Sequence, residues 1–231
     1  QHYPDRICIN EYTYNDIYGG VVHVASELTP LETSRVTILS DNSVTMAIYV
    51  LAAMLAHKEV LLLNIHLKPN EIGNQLKQLG ITTVLHSKER RNQLPSSLRA
   101  IEFEPLESIL FNLNLEDTFD WKFDDADIVA IMNTSATTGQ FKSVPLRWGQ
   151  IRAHVQASQE VLGKTEQDNW LMVLPLFHVS GLSILMRSLY NGTAITILTK
   201  YDEAKVLELI ETEKINMMSL VPTILTQLEP K

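Results

Sequence analysis

Apolar residues in this chain gather in short unbroken runs, and the stretches between them repeat apolar positions every three or four residues. The runs are Val36 to Ser40 (VTILS), Val60 to Leu63, Thr82 to Leu85, Ile128 to Asn133 (IVAIMN), Trp170 to Leu174, Ala194 to Leu198 and Met217 to Val221. They are too short for helices, and most do not alternate with polar residues. That pattern predicts strands covered on both faces.

The intervening stretches carry helix punctuation. Asp41-Asn42-Ser43 offers caps for a helix running to about Ala56, and Lys68-Pro69-Asn70-Glu71 opens one that ends near Leu79, with Gly80 as its stop. Further helices are predicted from Gly149 to Leu162, ending at Gly163, and from Ser180 to Tyr190, ending near Asn191-Gly192. A last one, Asp202 to Lys214, is amphipathic with an acidic face. Alternation of strand and helix predicts an α/β fold of mostly parallel sheets covered by helices. From about Ser87 to Asp127 the rhythm breaks, and ERRNQLPSS followed by weak patterning and a run of acids predicts a surface excursion between two sheet regions.

Composition narrows the class. With 231 residues, 45% hydrophobic and 20% charged, the chain has room for one large domain or two small ones, with a substantial core. A formal net charge of -8 argues against nucleic acid as a partner, because a phosphate backbone calls for clustered Lys and Arg. The most apolar stretch, AIYVLAAMLA at 47–56, is followed at once by His57-Lys58-Glu59 and is too short to span a bilayer, so no membrane insertion is expected. The single cysteine, Cys8, fits a reducing compartment and a small buried hydrophobe better than a nucleophile. QHYPDRICINEY has neither a basic start nor an apolar export segment, and a cytoplasmic location is expected.

Two stretches carry candidate chemistry. TSATTGQFK, at 134–142, follows the apolar run IVAIM, and the carboxyl ends of strands are where open α/β sheets place ligands. Backbone N–H groups, the hydroxyls of Thr134, Ser135, Thr137 and Thr138, and the Lys142 ammonium would supply phosphate donors there. No Walker A motif is present, and a Ser/Thr-rich turn with a lysine is, taken alone, more often a plain loop. The second stretch, PLFHVSGLSILMRS at 175–188, puts Ser180, Ser183 and Arg187 on one face of an otherwise apolar helix. A buried arginine there requires a partner, either an internal acid or the carboxylate of a ligand. His178 has no companions at metal-ligand spacing, so no metal site is predicted.

TSATTGQFKSV resembles the phosphate loop of the acyl-adenylate-forming superfamily, [ST]-[ST]-G-[ST]-T-G-x-P-K-G. Thr134, Ser135, Thr137, Thr138, Gly139 and Lys142 match it, whereas Ala136, Phe141 and Ser143 stand where the family has Gly, Pro and Gly. PLFH at 175–178 resembles the family's P-[LM]-[FY]-H segment, and LNIHLKPNE at 63–71 its early P-L-N-x-x-L-x-P-x-E turn. The longer string through Arg187 is closer still to the branch of CoA ligases acting on o-succinylbenzoate, a menaquinone precursor that carries a second carboxylate.

The resemblance implies that residues 1–231 form part of the large N-terminal, AMP-binding domain, with the C-terminal domain, its catalytic lysine and the magnesium-binding acid absent from this chain. It implies ATP, Mg2+ and coenzyme A as cofactor and co-substrates, and a small carboxylic acid as partner. Lys142 and the hydroxyls at 134–138 are then assigned with Gly139 to the triphosphate, and His178 to the acyl pocket or its gate. Ser180, Ser183 and Arg187 are assigned to the acid. Another acyl- or aryl-CoA ligase, or a non-catalytic nucleotide- or acyl-binding relative, remains an alternative, and a homo-oligomer is left open.

Overall fold

The computed structural model describes residues 3–113, 119–134, 141–212 and 214–228. Along the chain run β1 (Ile7–Ile9), β2 (Tyr12–Thr13), α1 (Tyr14–Leu28), β3 (Arg35–Leu39), α2 (Val44–Leu55), β4 (Glu59–Leu62), α3 (Pro69–Leu79) and β5 (Thr83–His86). After a 3-10 turn at Lys88–Gln93 come β6 (Arg99–Glu102), α4 (Leu106–Phe111), β7 (Ile128–Thr134), β8 (Lys142–Arg147), α5 (Trp148–Leu162) and β9 (Asn169–Met172). The chain continues through α6 (Val179–Asn191), β10 (Ala194–Ile197), α7 (Glu203–Glu211), β11 (Met217–Met218) and α8 (Pro222–Leu228).

Six strands form one sheet in the order β6-β5-β3-β4-β7-β8, and five form a second in the order β11-β9-β10-β1-β2. Neighbours are parallel except for the pairs β7–β8 and β1–β2. The side-chain period of two explains the unbroken apolar runs. Val60 and Leu62 of β4 face a central cluster, while Leu61 and the following Leu63 face outward onto Ile72 and Leu76 of α3. Trp170 and Met172 of β9 likewise face the centre, and Leu171 packs outward with Val206 and Leu209 of α7. Val22 of α1, Ile48 of α2 and Leu185 of α6 belong to the same central cluster. The two sheets therefore share one helical layer, and each is covered on its other face.

Local signals set the helix ends. The Ser43 hydroxyl accepts from the Met46 N–H at 3.0 Å, and the Asp202 carboxylate accepts from the Lys205 N–H at 2.9 Å. Gly80 (φ 66°) and Gly192 (φ 70°) close α3 and α6 in the left-handed region that glycine enters without strain. Among the described residues no helix is long and apolar enough to cross a membrane.

Two expectations need correction, and two further regions carried none. The span from Ser87 to Asp127 is not only a surface excursion, since β6 extends the first sheet and α4 buries Ile109 completely beside Gly20 of α1. The polar residues after Lys142 form β8, an edge strand whose pairing rests on backbone hydrogen bonds and needs no apolar run. The amino-terminal residues form β1, β2 and α1, with β1 pairing onto the distant β10. Helix α7 stops at Glu211, short of Lys214.

Two contacts fix how the sheets' carboxyl ends meet. Asn42, buried before α2, donates from Nδ2 to the Leu174 carbonyl at 3.0 Å and accepts at Oδ1 from the Leu176 N–H at 2.9 Å. Gly181 lies so close to the same segment that a Cβ there would sit 2.2 Å from the Pro175 carbonyl oxygen.

Asn42→Ala strands two buried backbone groups and is expected to cost about 2–4 kcal/mol in equilibrium denaturation. Gly181→Ala is expected to cost about 2 kcal/mol or more by overpacking against backbone that cannot yield. Cys8 is fully buried, and burial pushes its thiol up to about 12. It is expected to resist a thiol reagent at pH 8 until the protein is denatured, and prompt labelling of native protein would contradict this placement.

Candidate functional site

Helices α5 and α6 line a cavity of about 460 Å3. Its walls include Leu146 of β8, Gln150, Ile151 and His154 of α5, and Val179, Ser180, Leu182, Ser183, Met186 and Arg187 of α6, with Ser219 at one end. The helical face read from the sequence is therefore the cavity face, and Ser180, Ser183 and Arg187 come together on it.

Arg187 is 8% exposed, yet among the described residues no carboxylate pairs with it. Its guanidinium lies over the Trp170 ring, with Cζ 3.9 Å from the ring centroid, and Nη1 donates to Ser158 Oγ at 2.9 Å. Nε is buried without a partner. Burial lowers its pKa from the ordinary arginine value, the direction expected of a cation denied water and a counter-ion. Among the described residues the internal ion pair that the sequence left open is not made. A stacked, partly satisfied guanidinium on a largely apolar cavity wall is suited to receive an anion with donors in a fixed fork.

His178 is not among the residues lining that cavity. It is exposed at the N-cap of α6, with its ring 4.6 Å from that of Phe177, whose other neighbour is His66 at 6.4 Å between centroids. Its pKa is lowered from the ordinary histidine value, first by partial desolvation and second by the charge of His66.

The phosphate-loop candidate runs from the end of β7 to the start of β8, two strands that pair antiparallel. Thr134 and Lys142 are opposite residues of β7 and β8, both exposed, and the Thr134 hydroxyl donates to the Lys142 carbonyl at 3.3 Å. Ser135, Thr137, Thr138 and Gly139 lie outside the described residues. One step down the ladder, Ser143 donates to Asn133 Oδ1 at 2.6 Å, and Asn133 Nδ2 donates to Gln75 Oε1 of α3 at 2.6 Å. Lys142 and Leu146 share a face of β8, so the strand that holds the candidate lysine also walls the Arg187 cavity, about 13 Å along.

Several residues of the site escaped sequence reasoning. Gln150, His154 and Ser158 stand on α5, which buries only Val155 and looks like an ordinary surface helix. Trp170 reads as a core strand residue. Asn42 reads only as a cap. A polar cleft of about 570 Å3 at the carboxyl ends of β3 and β5, where Arg90 binds Asp41 through two hydrogen bonds of 2.8 and 2.6 Å, left no motif at all. Among the described residues no three His, Cys, Asp or Glu side chains gather to hold a metal ion.

Comparison with known proteins places this geometry. The chain is 46% identical to the 2-succinylbenzoate–CoA ligase of Lactococcus lactis subsp. lactis over 231 residues, which is 99% of this chain and 50% of that protein. It is 32% identical to the enzyme of the same name from Staphylococcus aureus over 245 residues, covering 94% and 49% of the two chains. The chain thus spans about half the length of the curated relatives it matches. The solved o-succinylbenzoate coenzyme A synthetase (MenE) of Bacillus subtilis in complex with AMP superposes with a TM-score of 0.87 at 27% identity, over 98% of this chain and 61% of that one. The family model described as AMP-binding enzyme matches residues 1–230, and the chain belongs to that family of acyl-adenylate-forming α/β proteins.

Proposed function

We propose that this chain is the amino-terminal part of an ATP-dependent acid–thiol ligase that converts o-succinylbenzoate to its coenzyme A thioester through an acyl-adenylate. The observation that carries the reading is Arg187, a buried guanidinium that no acid among the described residues pairs with, facing a cavity whose exposed surface is mostly apolar. An aromatic acid with a second carboxylate satisfies both features at once. The names of the relatives at 46% and 32% identity support the same substrate. A cytoplasmic setting follows as part of the reading.

In the first step a carboxylate oxygen of the acid attacks the α-phosphorus of ATP, forming the mixed anhydride and releasing pyrophosphate. In the second the coenzyme A thiol attacks the acyl carbon and AMP leaves. Charge accumulates on the triphosphate in the first step, and Lys142 with the hydroxyls of Thr134, Ser135, Thr137 and Thr138 and the backbone at Gly139 would neutralise it. Arg187, with Ser180 and Ser183, would hold the acid so that its other carboxylate faces the phosphates. His178, its pKa lowered by partial desolvation and by His66, would stand beside the acyl carbon between the two steps. One Bacillus subtilis relative was solved with ATP and magnesium ion. Magnesium would shield the triphosphate, and no residue of this chain is assigned to it.

In the full-length ligase, Arg187→Ala is expected to raise KM for o-succinylbenzoate about a hundredfold while KM for ATP stays within about twofold. Equal turnover of benzoate or a fatty acid, together with an unaffected Arg187→Ala variant, would exclude the assignment. Lys142→Ala is expected to slow o-succinylbenzoate-dependent pyrophosphate release about a hundredfold, and an unchanged rate removes the hairpin from the chemistry. The His178 titration followed by NMR is expected to lie below that of a free histidine and to move upward in His66→Gln, because one of its two causes is then gone. A titration that ignores His66 would separate the two rings electrostatically.

A further inference from the structure

The Arg187 cavity does not end in solid core. Along α6 lies a second chamber of about 170 Å3, walled by Leu51 and Met54 of α2 and by Trp121, Phe123 and Val155. Ile151 of α5 and Met186 of α6 line both spaces. The first cavity takes Val179, Ser180, Leu182, Ser183, Met186 and Arg187 of α6, and the second takes Met186, Leu189 and Tyr190. Met186 is the point on that helix where one becomes the other.

We propose that Met186, set against Ile151, is a partition that fixes the depth of the acyl cavity and so excludes acids extended by a benzene-sized or short alkyl group. The proposal rests on the functional reading above, in which the first cavity holds the acyl group. The lining of the second chamber is aliphatic and aromatic apart from Arg152, and an apolar space of this size holds a benzene-sized guest without requiring a polar partner. Its ligand class is therefore an uncharged hydrocarbon arm.

The two partition residues differ in stiffness. Ile151 is β-branched and has restricted χ1 freedom, whereas the unbranched Met186, 8% exposed, fills an irregular gap with three rotatable bonds. Arg187 follows Met186 directly, so an acid held by the guanidinium is anchored beside the partition. Shortening residue 186 joins the chambers, while a side chain of similar volume keeps them apart.

The test uses the full-length ligase with o-succinylbenzoate and its ring-propylated analogue. Met186→Ala is expected to raise the ratio of kcat/KM for the propylated acid over the parent acid by about tenfold or more, with Met186→Leu leaving the ratio unchanged. Ile151→Ala opens the same wall from α5 and is expected to raise the ratio too. If neither alanine variant shifts it, or if Met186→Leu shifts it as much, the partition is overturned. Xenon-pressurised crystals of the unaltered protein give a reading that needs no variant and no turnover. Xenon beside Leu51 and Met54 supports the chamber, and ordered water there overturns it. Loss of o-succinylbenzoate turnover in the unaltered protein would instead reject the functional reading, leaving the xenon result to decide the chamber alone.

Discussion

The two hydrogen bonds of Asn42 are the contact on which the site's geometry depends. Two sheets that share a layer of helices are held together by apolar burial, which is strong but non-directional and tolerates sliding. Asn42 converts that loose attraction into a fixed register, because its amide grips the Leu174 carbonyl and the Leu176 N–H at the end of β9 from a position just after β3. Gly181 then allows the first turn of α6 to press onto the same segment. The direction of α6, and with it the placement of Ser180, Ser183, Met186 and Arg187, follows from those two contacts.

Arg187 shows why such precision matters. A guanidinium paired with an internal acid would be stable but spent, since its donors would already be satisfied. Here the ring face of Trp170 and the hydroxyl of Ser158 hold the group in place without neutralising it. Its lowered pKa reflects the desolvation of the guanidinium, a cost that a bound carboxylate would offset. Under the proposed function discrimination would follow, because an acid lacking the second carboxylate would leave the cation unpaired in the cavity it fills.

What the sequence disclosed depended on whether an element's neighbours are local. The runs that became β3, β4, β5, β7, β9 and β10 were legible because burial on both faces favours apolar residues at successive positions. The edge strands β6 and β8 were not, since RAIE and KSVPLR carry polar residues that backbone pairing tolerates. Strand β1 has three residues, and its partner β10 lies at the far end of the chain, so no local pattern could announce the pairing. In the site, Arg187 stood out as one charge in an apolar helix. Ser158 and His154 did not, because their importance comes from the cavity that α6 opens beneath a solvated helix.

The departures from the family loop take a physical meaning from the hairpin. Glycine is required where φ is positive, and among the described residues only Asn10 and His57 are non-glycine residues with positive φ. Ser143 is not one of them. It is an ordinary ladder residue opposite Asn133, and its hydroxyl begins the relay through Asn133 to Gln75 that ties the hairpin to α3. A glycine there could not donate that bond. The serine thus exchanges backbone freedom that the position does not use for a side-chain anchor. The hairpin's base is fixed to the sheet one residue from Lys142, so the phosphate contact proposed for that lysine would start from a rigid support.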